Sequence, residues 1–283
     1  MMYSMKPQDP LTAKELTHHL AALHGAVEVA ARAEHVFCLA ETDSTNRVLL
    51  QMAAEGAPEG QVVLADCQTA GRGRLGRSFA SPAGYGLYYS YLFRTTPDPM
   101  LLTAHTAVAV SDAVEAVCGL RPQIKWVNDL LLPERADGQL KKICGILAQA
   151  VTAEDGRVPG IVVGIGINVH EDTTDFPEEL QGIAGSLFTA TGRHVARAQL
   201  AAELIRAMDA LRQPDAAKEA ALLRQYRSHS LLPGKAITVI RGGHKKSAEA
   251  LRIGDDYSLL VRYEDGSEEC LRSGEVSVRM ISR

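Results

Sequence analysis

The chain has 283 residues, of which 46% are apolar and 23% charged, and its 30 basic against 34 acidic residues leave a net charge of −4. That balance excludes a disordered chain and does not suit a protein that grips nucleic acid through its general surface, so any anion binding has to come from a local cluster. No run approaches the ~18 apolar residues of a membrane span, and the start MMYSMKPQDPLTAKELTHH lacks the basic end and apolar block of a secretion signal, so a cytoplasmic protein with no membrane partner is expected.

Residues 12–24 carry a helix pattern: Thr12 and Glu15 form a capping box, Leu16, Leu20 and Leu23 share a face, and Gly25 is a suitable stop. HVFCLA at 35–40 reads as a strand, and Ser44 opens a second helix that runs to Gly56. QVVLADC (61–67) is strand-like and leads into the glycine-rich segment TAGRGRLGR. Beyond it Leu87, Tyr89, Tyr91 and Phe93 alternate with Tyr88, Ser90 and Arg94, the period of a strand. Residues 100–118 are apolar at helical spacing and stop at Gly119. QIKWV (123–127) reads as a short strand, and ICGILAQAV and GIVVGIGINV flank AEDGR, in which Asp155-Gly156 is a hairpin signal. Two amphipathic helices follow over 197–213 and 215–229. Leu232-Pro233-Gly234 marks a domain boundary, and the short runs AITVI, SAEALRI, YSLLVRY, EECLR and VSVRMI beyond it suggest a small closed or partly closed barrel. The chain thus divides into an N-terminal helical extension (1–34), a central domain (35–231) and a barrel (232–283).

Cys38, Cys67, Cys118, Cys144 and Cys270 are odd in number and never spaced C-x-x-C, which supports neither a disulfide framework nor a thiolate zinc site. Cys38, Cys67 and Cys144 lie in strand-like runs and read as buried small side chains. The nine histidines include no H-E-x-x-H, and no structural metal is assigned.

Four segments carry chemistry. GRGRLGR (71–77) puts three glycines and three arginines directly after a strand. Glycines let backbone N–H groups turn toward an anion, and arginines offer planar forks to carboxylate or phosphate oxygens. A flexible basic surface turn is the other reading, and no G-K-[ST] closes the loop as a Walker motif would. KWVND (125–129) places Lys125 and Asp129 around Trp126 and Asn128 at a strand end. Taken singly these read as an edge charge, a turn residue and a core aromatic. Lys141 and Lys142 precede an apolar strand, and Lys141 is expected in solvent. GIGIN (164–168) leaves a strand bare at Gly164 and Gly166, which suits close approach of a ligand or another backbone, and ends at Asn168.

In this order the segments resemble the biotin–protein ligase family. The resemblance is carried by DSTN (43–46), QTAGRGRLGR (68–77), S-P-x-G-x-x-L-Y-x-S (81–90), KWVND, KICGIL (142–147), GIGINV (164–169), FPEEL (176–180) and AGSL (184–187), and runs from about residue 35 to the C-terminus. It implies an α+β fold: a mixed-sheet, class II synthetase-like catalytic domain with helices on one face, followed by an SH3-like barrel. It also implies a ligase that uses ATP with Mg2+ to form biotinyl-5′-AMP and passes biotin to a lysine of a biotin carboxyl carrier protein. Carried over by motif, Ser44, Thr45, Asn46 and Gln68 are expected to bind biotin, Ser44, Thr45 and Gln68 at its ureido ring. Arg72, Gly73 and Arg74 belong to the loop that closes over biotin and its activated carboxyl, and Lys142 reaches the carboxylate. Arg72, Arg74 and Lys142 are the expected catalytic groups. Lys125, Asn128, Asn168 and Phe79 are expected at the adenylate, and Asp129 is a candidate for organising metal or phosphate. Glu275 and Arg279 match the barrel motif that faces the active site.

The chain departs from the family where Val127 replaces the usual proline, where Phe79 stands for an aromatic that is often tryptophan, and in the insertion-like stretch PERADGQLK (133–141). About 34 residues precede the first strand and hold one convincing helix, too little for a winged helix, so no DNA partner and no repressor activity are expected. The family contains monomers and dimers, and an exposed sheet edge would serve for a homodimer. Lipoate–protein ligases share the fold but match poorly at GRGRLGR and KWVND. A biotin-binding module without transfer activity is the alternative from another class.

Overall fold

The computed structural model describes residues 9–272 apart from 25, 95–97, 153–158 and 214, with 24, 26–28 and 276–280 described by their backbone alone. The proposed helix stop at Gly25, the hairpin signal Asp155-Gly156, Glu275 and the side chain of Arg279 lie outside the described residues.

The first described helix is α1 (Ala13–His24), in which Glu15 N–H donates to Thr12 Oγ1 at 3.3 Å, one of the two bonds of a capping box. Leu16 and Leu20 enter the core, whereas Leu23 on the same nominal face is 37% exposed. A second helix, α2 (Ala26–Ala33), completes a stretch in which sequence periodicity shows only one. β1 (Val36–Thr42) pairs in parallel with β2 (Val62–Gln68), and α3 (Thr45–Ala54) joins them. β3 (Gly86–Phe93) leads to α4 (Pro99–Cys118), capped by the Asp98 carboxylate on Met100 N–H and stopped by Gly119 at φ +71°. By length and composition α4 alone among the described helices could cross a membrane, but most of it is buried against the rest of the molecule.

β4 (Gln123–Lys125), β5 (Asp129–Pro133), β6 (Leu140–Val151) and β7 (Gly160–Asn168) complete the first sheet, in the order β1-β2-β3-β7-β6-β5-β4. Expected as one strand, 123–127 is instead the first arm of a hairpin that turns at Trp126–Asn128 and returns as β5. The short helices α5 (Glu178–Gln181) and α6 (Leu187–Thr191) precede α7 (Arg197–Asp209) and α8 (Ala216–His229). The antiparallel strands β8 (Ala236–Arg241), β9 (His244–Ile253), β10 (Leu259–Tyr263), β11 (Glu268–Leu271) and β12 (Val276–Met280) form a second sheet ordered β11-β10-β9-β8-β12, which fits an SH3-like domain.

Strand alternation divides the first sheet's two faces. Leu87, Tyr89, Tyr91 and Phe93 of β3 join the main core with α4 and α7, whereas Leu92 packs with Leu49 and Ala53 of α3 on the opposite face. The α3 side is only partly covered, and the candidate site occupies what remains. The N-terminal residues are built into the main core side: Asp9 accepts from Arg197 N–H and Nε and lies 2.7 Å from His170 Nε2. Arg197 is 2% exposed and also donates to Asp66 at 2.6 Å, so its buried charge is paired on both sides.

Tyr257, in the turn before β10, joins the two sheets. Its carbonyl accepts Trp126 Nε1–H at 2.9 Å, its hydroxyl lies 3.1 Å from His105 Nε2 of α4, and its ring meets Tyr226 of α8 edge-on. It holds φ +61°, in the left-handed region that a bulky side chain occupies only when its surroundings over-determine it.

Candidate active site

β3, β7 and β6 bring their least obstructed positions together. The register sets Ser90 against Gly164, Tyr88 against Gly166, and Gly166 against Gly145. A Cβ on Gly164 would stand 2.2 Å from Asn46 Oδ1, and one on Gly166 would stand 2.6 Å from the Phe79 ring. Both positions therefore have to be glycine for these side chains to lie on the sheet. Above this floor lies an open cleft, and Ser44, Thr45, Asn46, Gln68, Arg74 and Lys142 are among the residues that line it.

The inner end is neutral and hydrogen-bonded. Ser44 N-caps α3, so the first turn of that helix delivers Thr45 and Asn46 to the sheet. Thr45 N–H donates to Gln68 Oε1 at 2.9 Å, Gln68 Nε2 donates to Ser81 Oγ at 3.0 Å, and Asn46 Nδ2 donates to Gln149 Oε1 at 2.7 Å. Thr45 and Asn46 are 3% and 6% exposed, so these bonds are shielded from competing water.

The outer end is cationic. Arg74 Nη1 donates to Asn128 Oδ1 at 2.9 Å, and Asn128 in turn donates Nδ2–H to Ile146 O at 3.1 Å. Burial pulls the Arg74 pKa down, the nearby Asp129 carboxylate pushes it back up, and Arg77 lowers it further. Lys142 Nζ forms an ion pair with Asp129 at 2.6 Å. Between the ends lies the ring of Phe79, over Gly166 and 3.6 Å from where a Gly145 Cβ would stand. From Gly145 to Gln149 is four residues of β6, about 13 Å at the rise of a strand. Such a cleft suits an elongated molecule with a polar neutral head, an apolar middle and an anionic end.

The structure brings together Ser44, Thr45, Asn46, Gln68, Arg72, Gly73, Arg74, Phe79, Asn128 and Lys142, every one a residue singled out by motif. Lys125 and Asn168 are not among the lining residues. Asn168 is 6% exposed and donates to Gly185 O at 2.9 Å, which ties the end of β7 to the segment beside Lys142. Asp129 reaches the site through its pairing with Lys142. Lys141, expected in solvent, is 7% exposed and donates to Gly182 O at 3.0 Å, because β6 begins at Leu140 and alternation turns Lys141 and Lys142 to opposite faces. In the arginine loop, Gly73 N–H is engaged by Arg77 O at 2.7 Å and Leu75 holds φ +57°, so the loop is a defined turn with Arg74 directed inward and Leu75 outward. Cys144 is buried as expected, Cys38 and Cys67 are half-buried, and none of the three lines the cleft.

The sequence reading gives no role to Ser90, the last residue of the motif S-P-x-G-x-x-L-Y-x-S, and does not single out Gln149. Ser90 is fully buried, with its Oγ 2.6 Å from Asn46 Oδ1. Besides that motif, its sequence signal is a lone aliphatic hydroxyl on the otherwise apolar and aromatic strand GLYYSYLF.

Comparison with known proteins agrees with this geometry. Residues 38–168 match the family described as the biotin/lipoate A/B protein ligase family. Over 170 residues the chain is 42% identical to the bifunctional ligase/repressor BirA of Bacillus spizizenii, covering 58% of this chain and 50% of that protein, so the chain spans about half the length of such curated relatives. It is 32% identical over 246 residues to the biotin–[acetyl-CoA-carboxylase] ligase of Mycobacterium tuberculosis, covering 84% of this chain and 86% of the relative. Among solved structures, the biotin protein ligase of Aquifex aeolicus in complex with biotin and ATP superimposes with a TM-score of 0.73 at 27% identity, covering 87% of this chain and 99% of that one. With the motif residues gathered in one cleft and these relatives aligned across it, the chain belongs to the biotin/lipoate A/B protein ligase family.

Proposed function

We propose that the protein is a biotin–protein ligase, which activates biotin with ATP and transfers it to a lysine of a biotin carboxyl carrier protein. The observation that carries this reading is a single cleft with a buried neutral network at one end and Arg74 with Lys142 at the other. The neutral end suits a cyclic urea, the Phe79 ring and glycine floor suit an aliphatic chain, and the cationic end suits a carboxylate beside a phosphate. A relative named biotin–[acetyl-CoA-carboxylase] ligase and a neighbour solved with biotin and ATP support the same substrates and carrier.

In the first step a carboxylate oxygen of biotin attacks the α-phosphorus of ATP, the bond to the bridging oxygen breaks, and pyrophosphate leaves. The reaction brings two anions together, so the fixed charges of Arg74 and Lys142 act where negative charge accumulates. Asn128 holds the Arg74 guanidinium in place and Asp129 holds the Lys142 ammonium, which lowers the cost of organising them during the reaction. In the second step the carrier lysine amine attacks the acyl carbon, the acyl–phosphate bond breaks, AMP leaves, and the amine loses a proton to solvent. Arg72, which lines the cleft from the exposed side of the loop, covers the adenylate and excludes water in this reading.

Magnesium enters as part of the nucleotide substrate. Asp129, the candidate for organising metal or phosphate, is engaged by Lys142. Residues 9–33 support a structural role in place of a DNA-reading one, since Leu16, Leu20 and Asp9 are spent on packing and ion pairs within the domain.

The test is transfer of biotin to a purified carrier domain with ATP and magnesium, read by avidin blot. Labelling should require ATP, persist in excess lipoate and fall at least about 100-fold in Arg74→Ala, the scale expected for a lost charge-stabilising donor. A folded protein that binds biotin but never labels the carrier would leave a binding module instead.

A further inference from the structure

Behind the neutral end of the cleft, Ser90 and Gln149 support Thr45 and Asn46 without themselves lining it. Ser90 Oγ is 2.6 Å from Asn46 Oδ1 and 2.8 Å from Thr45 Oγ1. Asn46 Nδ2 commits its two protons to Gln149 Oε1 at 2.7 Å and Leu147 O at 3.3 Å, which turns the carboxamide oxygen toward Ser90. A hydroxyl carries one proton. The Ser90 proton therefore serves Asn46 Oδ1, the shorter contact and the one whose acceptor has no proton of its own. Two hydroxyl oxygens at 2.8 Å need a proton between them, so Thr45 O–H turns to Ser90, while its backbone N–H serves Gln68 Oε1 at 2.9 Å. If the Thr45 proton went to Gln68 Oε1 instead, 3.1 Å away, it would still be spent inside the protein. In both arrangements the Thr45 hydroxyl has only lone pairs to offer the cleft.

We propose that Ser90 is a positioning residue that, with Gln149 behind Asn46, fixes the direction of protons at the inner end so that Thr45 Oγ1 acts as an acceptor and the site selects a ligand presenting an N–H there. The proposal rests on the biotin reading and sharpens it: what is selected is the donor N–H of the cyclic urea. A site built to accept from an N–H rejects an isostere that offers an oxygen in its place, because lone pairs then face lone pairs.

The experiment is isothermal titration of the full chain with biotin and with the two cyclic-carbamate analogues in which a ring oxygen replaces one or other ureido N–H. Wild type should favour biotin strongly over at least one analogue. Ser90→Ala leaves the Thr45 hydroxyl only Gln68 Oε1, 3.1 Å away and already accepting the Thr45 N–H, so its proton is held less firmly, and the variant should weaken biotin about five- to tenfold, narrow the preference by a similar factor and leave ATP affinity within about twofold. Gln149→Glu keeps an acceptor for Asn46 Nδ2 and should retain the wild-type preference, whereas Gln149→Met releases the carboxamide and should narrow it. If Ser90→Ala fails to fold, the two Gln149 variants decide the matter by the same ratio. A merely structural serine would give a lower melting temperature with both ligands weakened equally, and an unchanged ratio overturns the proposal. Failure of the folded wild type to bind biotin at all would remove the biotin reading, and this proposal with it.

Discussion

Lys142 illustrates what a single residue contributes here. Its side chain is about one-third exposed, and its ion pair to Asp129 lies at the edge of the cleft. Pairs of that exposure add little to folding. The same ammonium, fixed beside the place where a carboxylate and a phosphate meet, has a large effect on the reaction. Lys142→Ala should therefore reduce biotin-dependent pyrophosphate release by about 100-fold or more while the melting temperature moves by no more than about 2 °C. Parallel losses of activity and thermal stability would show that the lysine mainly holds β6 in place. At this scale the site was largely legible in the sequence, because Arg74, Lys142, Gln68 and Thr45 act through functional groups that a motif names directly. The role of Ser90 was not, although a motif ends on it, because nothing in a one-dimensional pattern says that its hydroxyl sits opposite a bare glycine on β7, four strands later in the chain.

The same limit holds for elements. The motif Trp126–Asp129 reads as a strand end, yet the structure makes it the turn of a hairpin whose second arm, β5, has an apolar core that sequence alone assigns to no element. That turn has two attachments. Trp126 Nε1 donates to the Tyr257 carbonyl, and Asn128 accepts from Arg74 at 2.9 Å. The indole and the carboxamide are two residues apart, so a shift of the first moves the second. Trp126→Phe keeps a ring but leaves the Tyr257 carbonyl without its buried donor, a cost of about 1–3 kcal/mol. We expect a matching drop in unfolding free energy by urea titration, together with a fall of about tenfold in the rate of adenylate formation as the Arg74 anchor loosens. Loss of stability at an unchanged rate would mean that the turn is held well enough by β4 and β5. The second helix, α2, escaped notice for a different reason: its eight residues AVEVAARA are short and rich in alanine, and the burial of Val29 is a tertiary fact.

For the whole molecule, the contact between the two sheets passes through a group that titrates. His105 is 4% exposed on α4 and meets the Tyr257 hydroxyl, and burial pulls its pKa from 6.5 down to about 4. In the unfolded chain the imidazole takes up a proton near its ordinary pKa, whereas in the folded protein it resists until the medium is far more acidic. Between those two values the unfolded state binds more protons, so the contribution of His105 to stability is complete above pH 6.5 and is lost as pH falls toward about 4. The full span corresponds to something on the order of 3 kcal/mol. Glu171 works in the opposite direction. Its carboxyl is raised from 4.5 to about 7 by burial, so it favours the folded state at low pH and loses that contribution as pH rises through 7. A single curve for the native sequence would mix the two effects, but a comparison with His105→Gln cancels the shared glutamate. Thermal melts of both proteins at steps between pH 7 and pH 4.5 should show the wild type falling about 5–10 °C further than the variant, with the two curves parallel above pH 7. Curves that stay parallel throughout would mean that His105 accepts its proton within the fold, and that the seam between the sheets opens enough at acid pH to hydrate it.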